Sequence, residues 1–289
     1  MTRMADLVGR YLAIALLAAA LPACTHLFYQ PQRAGFYNPA DFGLANEDIL
    51  FESAGGRKLN GWYFPPVGGV EEKGIVVQFH GNAENISTHF LSLAWVVKHG
   101  YGLFTFDYSG YGASEGVPSQ QSLNEDALAA LTYAEGRLHS LNPAGQKKVL
   151  VAYGQSLGGA VLLRALADFP RRDAIDTVVI ESSFASYKAI ASDKLSLRWL
   201  TWPLQPLAYL LVSDAYAPEK SIPSLAGTRL LVIHGSDDAV VPIRFGRRIF
   251  ELAGEPKTFW EVPHGHHIDA MTVHADEYRK KLIAFIEHR

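Results

Sequence analysis

Short apolar runs alternate with amphipathic segments along most of this chain. Two short strand patterns over residues 47–53 and 58–64 are joined by a glycine-containing turn and predict a hairpin. Six further strands are predicted by apolar runs at residues 74–80, 101–107, 149–154, 176–181, 228–234 and 257–262. Helical periodicity predicts helices at residues 86–98, 122–139, 157–168, 240–253 and 275–288. This alternation predicts an α/β fold with a mostly parallel sheet of about eight strands and helices on both faces.

Polar residues with useful chemistry follow several of these strands directly. They are His80, Asn82, Asp107, Ser156, Glu181, Asp238 and the histidines between residues 264 and 267. In open α/β sheets, ligands bind beyond the carboxyl ends of the strands. We therefore expect these side chains to meet at one edge of the sheet.

The pentapeptide Gly154-Gln155-Ser156-Leu157-Gly158 stands between a buried strand pattern and a helix pattern. A serine on such a turn projects its hydroxyl above the sheet, and the flanking glycines allow the close chain approach that the turn needs. The spacing alone is weak evidence, but a strand before it and a helix after it are the context that supports a nucleophile. The sequence therefore predicts that Ser156 is a nucleophile; the alternative is a glycine-rich turn needed only for packing.

A serine nucleophile needs a base, and the base needs an orienting carboxylate. Asp237 and Asp238 are the acid candidates, and either could instead only cap the helix that follows. His264, His266 and His267 are the base candidates, since an imidazole has an unperturbed pKa of about 6.5. Their spacing does not match a helical zinc site, and no cysteine can join them, so no metal or other cofactor is predicted.

Four linked motifs resemble one branch of the α/β-hydrolase superfamily. They are His80-Gly81-Asn82-Ala83, Asp107-Tyr108-Ser109-Gly110-Tyr111-Gly112-Ala113-Ser114, Gly154-Gln155-Ser156-Leu157-Gly158-Gly159 and His234-Gly235-Ser236-Asp237-Asp238. The branch includes lysophospholipid lipases and protein depalmitoylases, and the resemblance spans about residues 51–289. It implies the α/β-hydrolase fold with a central sheet of about eight strands.

The same resemblance implies roles for individual residues. It assigns the acid to Asp238, which precedes Ala239-Val240-Val241-Pro242, and the base to His266, because relatives often carry the base directly after a glycine. It also implies an oxyanion hole made by the backbone N–H groups of Asn82 and Leu157. His80 is expected to be a structural hydrogen-bonding residue, and Asp107 and Ser114 are expected to tie loops together rather than to contact substrate.

The first residues resemble the signal of a bacterial lipoprotein. Arg3 and Arg10 precede an apolar run from Tyr11 to Leu21, which ends in Leu21-Pro22-Ala23-Cys24. We expect residues 1–23 to be a signal peptide, Cys24 to carry the lipid, and residues 24–46 to be a tether. Thr25 after the cysteine favours the outer membrane over the inner one by the same resemblance. An ordinary cleaved signal and an uncleaved anchor are the alternatives.

Residues 47–289 form the predicted α/β-hydrolase domain, with an apolar insertion at residues 184–222. That insertion contains many Leu and Trp residues, and it could be a helical lid or simply part of the core. The formal net charge of −3 makes nucleic acid an improbable partner.

The leading hypothesis is a membrane-anchored serine hydrolase that cleaves carboxylic esters or thioesters of a small-molecule substrate through an acyl-enzyme. A peptidase or amidase of the same fold, and a non-catalytic lipid-anchored binding module, are the alternatives. The sequence leaves the oligomeric state open.

Overall fold

The computed structural model describes residues 28–141, 148–197 and 199–288, which fall into two compact units. The smaller unit contains residues 28–30 and Tyr187–Asp214, and the larger contains Pro31–Ser186 and residues 215–288. The predicted signal peptide and Cys24 lie outside the described residues. No helix in the described part of the chain is long and apolar enough to cross a membrane.

The larger unit is built on one eight-stranded sheet. Its strands are β1 Glu47–Glu52, β2 Lys58–Phe64, β3 Gly74–Phe79, β4 Tyr101–Phe106, β5 Val149–Gln155, β6 Thr177–Glu181, β7 Leu230–Gly235 and β8 Lys257–Val262. Their spatial order is 1-2-4-3-5-6-7-8. Strand β2 pairs antiparallel with both β1 and β4, and every other pairing in the sheet is parallel. The predicted sheet is thus confirmed.

Burial along the strands explains why the central ones read as unbroken apolar runs. All residues of β3, β4, β5, β6 and β7 are buried, because helices cover both faces of the sheet there. Strand β1 lies at one edge, and its residues alternate between exposed and half-buried. The strand order and the pairings agree with the α/β-hydrolase fold predicted from the sequence motifs.

The helices flank this sheet or lie in the smaller unit. They are α1 Ile86–His89, α2 Gln120–Ser140, α3 Leu157–Asp168, α4 Tyr187–Ser196, α5 Gln205–Leu211, α6 Arg244–Leu252 and α7 Ala275–Glu287. Helix α6 begins at Arg244, after Pro242, and not at residue 240 as predicted.

The predicted helix over residues 86–98 is wrong in its continuity. Helix α1 ends at His89 and is followed by two 3₁₀ segments, Phe90–Ser92 and Ala94–His99. The His89 carbonyl oxygen accepts hydrogen bonds from Gln78 Nε2 at 2.8 Å and Ser92 Oγ at 2.9 Å. The backbone N–H of Leu93 instead donates to the Phe90 carbonyl at 3.1 Å, which is the shorter 3₁₀ spacing.

Helix α2 starts earlier than predicted because its cap is Ser119. The Ser119 Oγ accepts from the N–H of Ser122 at 3.0 Å, and the N–H of Ser119 donates to Ser122 Oγ at 2.9 Å. This reciprocal capping box starts the helix at Gln120 and not at residue 122. Glu125 is paired with Arg57.

The smaller unit contains a helical hairpin, in which α4 packs against α5. A 3₁₀ turn at Trp202–Leu204 leads directly into α5. This hairpin occupies the central part of the predicted insertion 184–222, and its role as a lid stays a prediction.

Candidate active site

Ser156 lies on the turn between strand β5 and helix α3. Its backbone has φ 52° and ψ −118°, a conformation that a residue with a Cβ rarely adopts. The Ser156 N–H donates to the Glu181 carbonyl at 2.9 Å, and the Ser156 carbonyl accepts from Ser183 Oγ at 2.7 Å. These bonds, to the last residue of strand β6 and from a serine two positions after it, hold the turn in its strained shape.

Glycines around Ser156 allow the turn to pack against the sheet. A Cβ on Gly158 would lie 2.0 Å from the Phe79 carbonyl oxygen, and a Cβ on Gly154 would lie 2.6 Å from the Cα of Gly159. Because the nearest atoms belong to the backbone, a side chain could be accommodated only if the helix moved away from the strand. The glycines therefore bring the start of α3 against the carboxyl end of β3.

The imidazole that reaches Ser156 belongs to His267. Its Nε2 lies 3.0 Å from Ser156 Oγ, and its Nδ1 lies 2.8 Å from Asp238 Oδ2. Ser156, His267 and Asp238 thus form a continuous hydrogen-bonded chain, although they follow three different strands. The side chain of His267 keeps 18% of its surface exposed, whereas Ser156 and Asp238, at the two ends of the hydrogen-bonded chain, are buried.

The prediction of His266 as the base is wrong in this structure. The His266 side chain is exposed, and its Nδ1 lies 3.2 Å from the Asp237 carbonyl oxygen. Its N–H donates to Asp269 Oδ2 at 2.7 Å, which fixes the turn so that the next side chain faces Ser156. His264 is also directed outward, with 90% of its side chain exposed.

Glycine at position 265 serves packing rather than the histidine beside it. A Cβ on Gly235 at the end of β7 would lie 2.2 Å from the Gly265 carbonyl oxygen, so the two loops touch backbone to backbone. Gly265 itself could not carry a Cβ, which would lie 2.6 Å from the Val262 side chain. The rule that the base directly follows a glycine therefore selected His266, whereas His267, one residue later, contacts Ser156.

Asp238, predicted over Asp237, is the carboxylate that meets the imidazole. Its side chain is fully buried, and Oδ1 accepts from the N–H groups of Val240 and Val241, each at 2.8 Å. Burial opposes its charged form, but hydrogen bonding and attraction to His267, together with the Val241 N–H, hold the pKa of Asp238 below its ordinary value. Asp237 is half exposed and contacts Ser236 and His264.

The loop after β3 passes directly beside Ser156. A Cβ on Gly81 would lie 3.8 Å from the Ser156 Cβ, so this loop borders Ser156. The Tyr111 hydroxyl lies 2.8 Å from the carbonyl oxygen of Asn82 and 2.9 Å from its Oδ1, and it fixes this residue. Leu157 is the first residue of α3, where backbone N–H groups have no partner within the helix.

Asp107 and Ser114 tie loops together, as predicted. The Asp107 carboxylate accepts from the N–H of Ile86 at 2.9 Å, and Ser114 Oγ donates to the Asp107 carbonyl at 2.7 Å. Burial raises the pKa of Asp107 to about 6, against the hydrogen bonds from Ile86 and Asn60. His80 is wholly buried and has its Nδ1 2.8 Å from the Gly81 carbonyl oxygen.

Glu181 is a buried carboxylate whose structural part the sequence did not reveal. Its Oε2 accepts from Tyr153 and from Gln155, each at 2.9 Å, and Oε1 accepts from the Ala270 N–H at 3.2 Å. Burial raises the pKa of Glu181. It connects the strand of Ser156 to the loop of His267. An ionisable residue at the end of the apolar run Thr177-Val178-Val179-Ile180 was the available signal.

Comparison with known proteins agrees with this architecture. Residues 70–220 match the model of the Hydrolase 4 family, described as serine aminopeptidase, S33. The uncharacterized protein YfhR of Escherichia coli (strain K12) is 34% identical over 264 residues, which cover 90% of this chain and 86% of YfhR. The lysophosphatidylserine lipase ABHD12 of Danio rerio is 26% identical over 311 residues, which cover 96% of this chain and 78% of the lipase.

A solved structure has the same fold. The Pyrococcus furiosus esterase Pf2001 superimposes with a TM-score of 0.70, covering 90% of this chain and 97% of the esterase at 19% identity. The superfamily resemblance read from the four sequence motifs is confirmed by these matches. The chain is an α/β hydrolase and belongs to the Hydrolase 4 (serine aminopeptidase, S33) family.

Proposed function

We propose that this protein is a serine hydrolase that cleaves carboxylic esters or thioesters through an acyl-enzyme intermediate. The single observation that carries the proposal is the hydrogen-bonded chain from Ser156 through His267 to Asp238, with separations of 3.0 Å and 2.8 Å. A hydroxyl, an imidazole and a buried carboxylate in this order can deprotonate and activate a serine.

The hydrogen bonds of His267 support Nε2 as the imidazole nitrogen that accepts the serine proton. Since the Asp238 carboxylate can only accept a hydrogen bond, His267 Nδ1 carries a hydrogen and donates a hydrogen bond to Oδ2. His267 Nε2 is then left with a lone pair directed at the Ser156 hydroxyl. The imidazole can therefore accept the serine proton, and Asp238 stabilises the imidazolium that forms.

The proposed reaction then follows in two halves. Ser156 Oγ attacks the acyl carbon while its proton passes to His267 Nε2, and the carbonyl oxygen becomes an oxyanion. The proton next passes to the leaving alcohol or thiol, which departs and leaves an acyl-serine. Water loses a proton to His267 Nε2, attacks the acyl carbon and releases the acid, and Ser156 regains its proton.

We propose that the N–H groups of Asn82 and Leu157 stabilise the oxyanion. The loop that carries Asn82 passes beside Ser156, and Leu157 opens a helix whose first N–H groups have no partner within it. Such donors usually provide the largest electrostatic contribution to acyl transfer.

The relatives favour an ester over an amide substrate. ABHD12 is named a lysophosphatidylserine lipase, and it aligns with 96% of this chain. The family description, serine aminopeptidase, supports amide hydrolysis as the second candidate. Turnover of graded acyl esters and thioesters beside aminoacyl amides will separate the two, because the proposal requires the esters or thioesters to react faster.

Labelling with a fluorophosphonate probe tests the nucleophile. The Ser156→Ala variant should lose both labelling and p-nitrophenyl ester turnover, whereas Ser140→Ala, on an exposed helix end, should keep both. Labelling that survived in Ser156→Ala would overturn the proposal. If the wild-type protein bound an apolar ligand but did not react with the probe, a non-catalytic binding module would be favoured instead.

We further propose that Cys24 is acylated and holds the protein in the bacterial cell envelope, at the periplasmic face of the outer membrane. The support is Leu21-Pro22-Ala23-Cys24 after an apolar run. Metabolic labelling with a palmitate analogue should mark the wild-type chain and not Cys24→Ser. Membrane fractionation of the labelled protein tests the location, and recovery in the inner membrane would contradict it.

A further inference from the structure

The smaller unit presents a concentrated apolar surface. Of 16 large apolar side chains that are exposed in the described part of the chain, 8 lie between residues 197 and 210. Trp199 is 83% exposed, Leu210 is 73% exposed, and Trp202 lies between them in sequence with 63% exposed. Contiguous exposed apolar surface on a soluble protein marks a contact with a partner or a membrane.

The same unit contains an apolar groove of about 520 Å³. Its lining is mainly aliphatic and includes Phe28, Leu195, Leu204, Leu207, Leu211 and Val212. A groove of this size and composition matches hydrocarbon better than it matches a polar ligand.

The position of Phe28 indicates what covers this surface. Its ring meets the ring of Tyr187 edge-on, with centroids 5.4 Å apart, so the described chain begins at the hairpin itself. Cys24 is four residues upstream, and four residues span at most about 14 Å. Leu21, the end of the apolar run, is within about 25 Å by the same measure. A lipid on Cys24 and an uncleaved apolar anchor would both bring a membrane to this unit.

The residue types also suit a membrane surface. Trp and Tyr prefer the boundary between headgroups and acyl chains, and exposed Leu residues enter the acyl region. Trp199, Trp202 and Tyr209 supply the aromatic residues, and Leu200 and Leu210 are exposed beside them in sequence.

We propose that the hairpin, residues 187–214, is a membrane-binding surface that inserts its exposed Trp and Leu side chains into a phospholipid bilayer and takes acyl chains into its groove. It acts in addition to the predicted anchor. A surface that inserts apolar side chains adds buried apolar area to the attachment that such an anchor provides.

Fluorescence quenching by bromine-bearing lipids tests this proposal in the full chain. The protein has five Trp residues; Trp95 belongs to the core cluster of the larger unit, and Trp62 and Trp260 are partly buried and pack against that cluster. On vesicles of phosphatidylethanolamine and phosphatidylglycerol brominated in the acyl chains, wild-type fluorescence should be strongly quenched. The fraction of the fluorescence that is quenched should fall at least about threefold in Trp199→Phe/Trp202→Phe and should not fall in the matched variant Trp260→Phe.

Two results would overturn the proposal. One is equal quenching, or none, in the wild type and the double variant. The other is a dimer in solution that the double variant abolishes and that vesicles do not dissociate, because a second copy would then cover the surface. Failure of the catalytic proposal is separable: Ser156→Ala should keep the quenching, and the double variant should keep fluorophosphonate labelling.

Discussion

His267 Nε2 lies 3.0 Å from Ser156 Oγ, although 111 positions separate the two residues along the chain. Strand β5 ends just before Ser156, and the loop after β8 returns His267 over the edge of the sheet. Hydrogen bonds to Asp238 and to the surrounding backbone keep both partners in register. The separation is within hydrogen-bond reach, so proton transfer needs no rearrangement.

Exchange of the neighbouring histidines distinguishes their roles. We expect His267→Gln to lower kcat/KM for a p-nitrophenyl ester by at least about 10³-fold, because the change removes the imidazole nitrogen that lies 3.0 Å from Ser156 Oγ. His266→Gln should stay within about twofold of the wild type, since that side chain is exposed. A large loss in His266→Gln with an active His267→Gln would reverse the assignment.

The two adjacent aspartates provide a second matched pair. In Asp238→Asn, an amide N–H would face His267 Nδ1 and favour the tautomer that carries its proton on Nε2, which then cannot accept the serine proton. We expect a loss in kcat of about 10⁴-fold, the size seen for this change in other triads. Asp237→Asn is the control and should be nearly unaffected, since its side chain is half exposed. Steady-state kinetics would contradict the assignment if both variants lost activity equally.

Two glycine substitutions test the packing that holds the Ser156 turn. Gly158→Ala places a Cβ 2.0 Å from the Phe79 carbonyl oxygen. We therefore expect the free energy of unfolding to fall by at least about 1–3 kcal/mol and the activity to be lost. Gly136→Ala, in helix α2 with open space around it, should stabilise the protein by up to about 1 kcal/mol. Thermal melts of both variants measure this. A stable, fully active Gly158→Ala protein would contradict the packing argument.

The stability of the larger unit should depend on the protonation of Asp107. Its pKa is about 6 in the folded protein against 3.8 as the reference, so between these values the folded state binds more protons than the unfolded state. The contribution of this group to the free energy of unfolding therefore decreases as pH rises from about 4 to 6, by up to about 3 kcal/mol.

Asp107→Asn removes that titration. The decrease over this pH range should be smaller in the variant, whatever its overall stability, and denaturant unfolding at several pH values measures it. Identical pH profiles for the wild type and Asp107→Asn would show that Asp107 does not carry the effect.

Much of the fold was predictable because it depends on patterns that are local along the chain. Composition and periodicity predict both the buried strand that ends just before Ser156 and the apolar helix that follows it. The carboxyl ends of parallel strands share one edge, so the meeting of Ser156 and Asp238 could also be inferred from strand order. Competition for backbone hydrogen bonds was harder to predict. Gln78 Nε2 donates a hydrogen bond to the His89 carbonyl oxygen, where periodicity alone predicts that the helix continues.

The residue types and their order along the chain were enough to indicate an α/β-hydrolase fold and to select Ser156 and Asp238 as the proposed nucleophile and acid. Only the folded chain decided between His266 and His267, because neighbouring side chains in a loop point in different directions. That direction depends on two contacts. The Asp269 carboxylate accepts a hydrogen bond from the His266 N–H within the turn, and Gly235, from a segment remote in sequence, packs against Gly265. A periodic pattern in the sequence does not specify such contacts, so only the tertiary structure decides which of the two histidines faces Ser156.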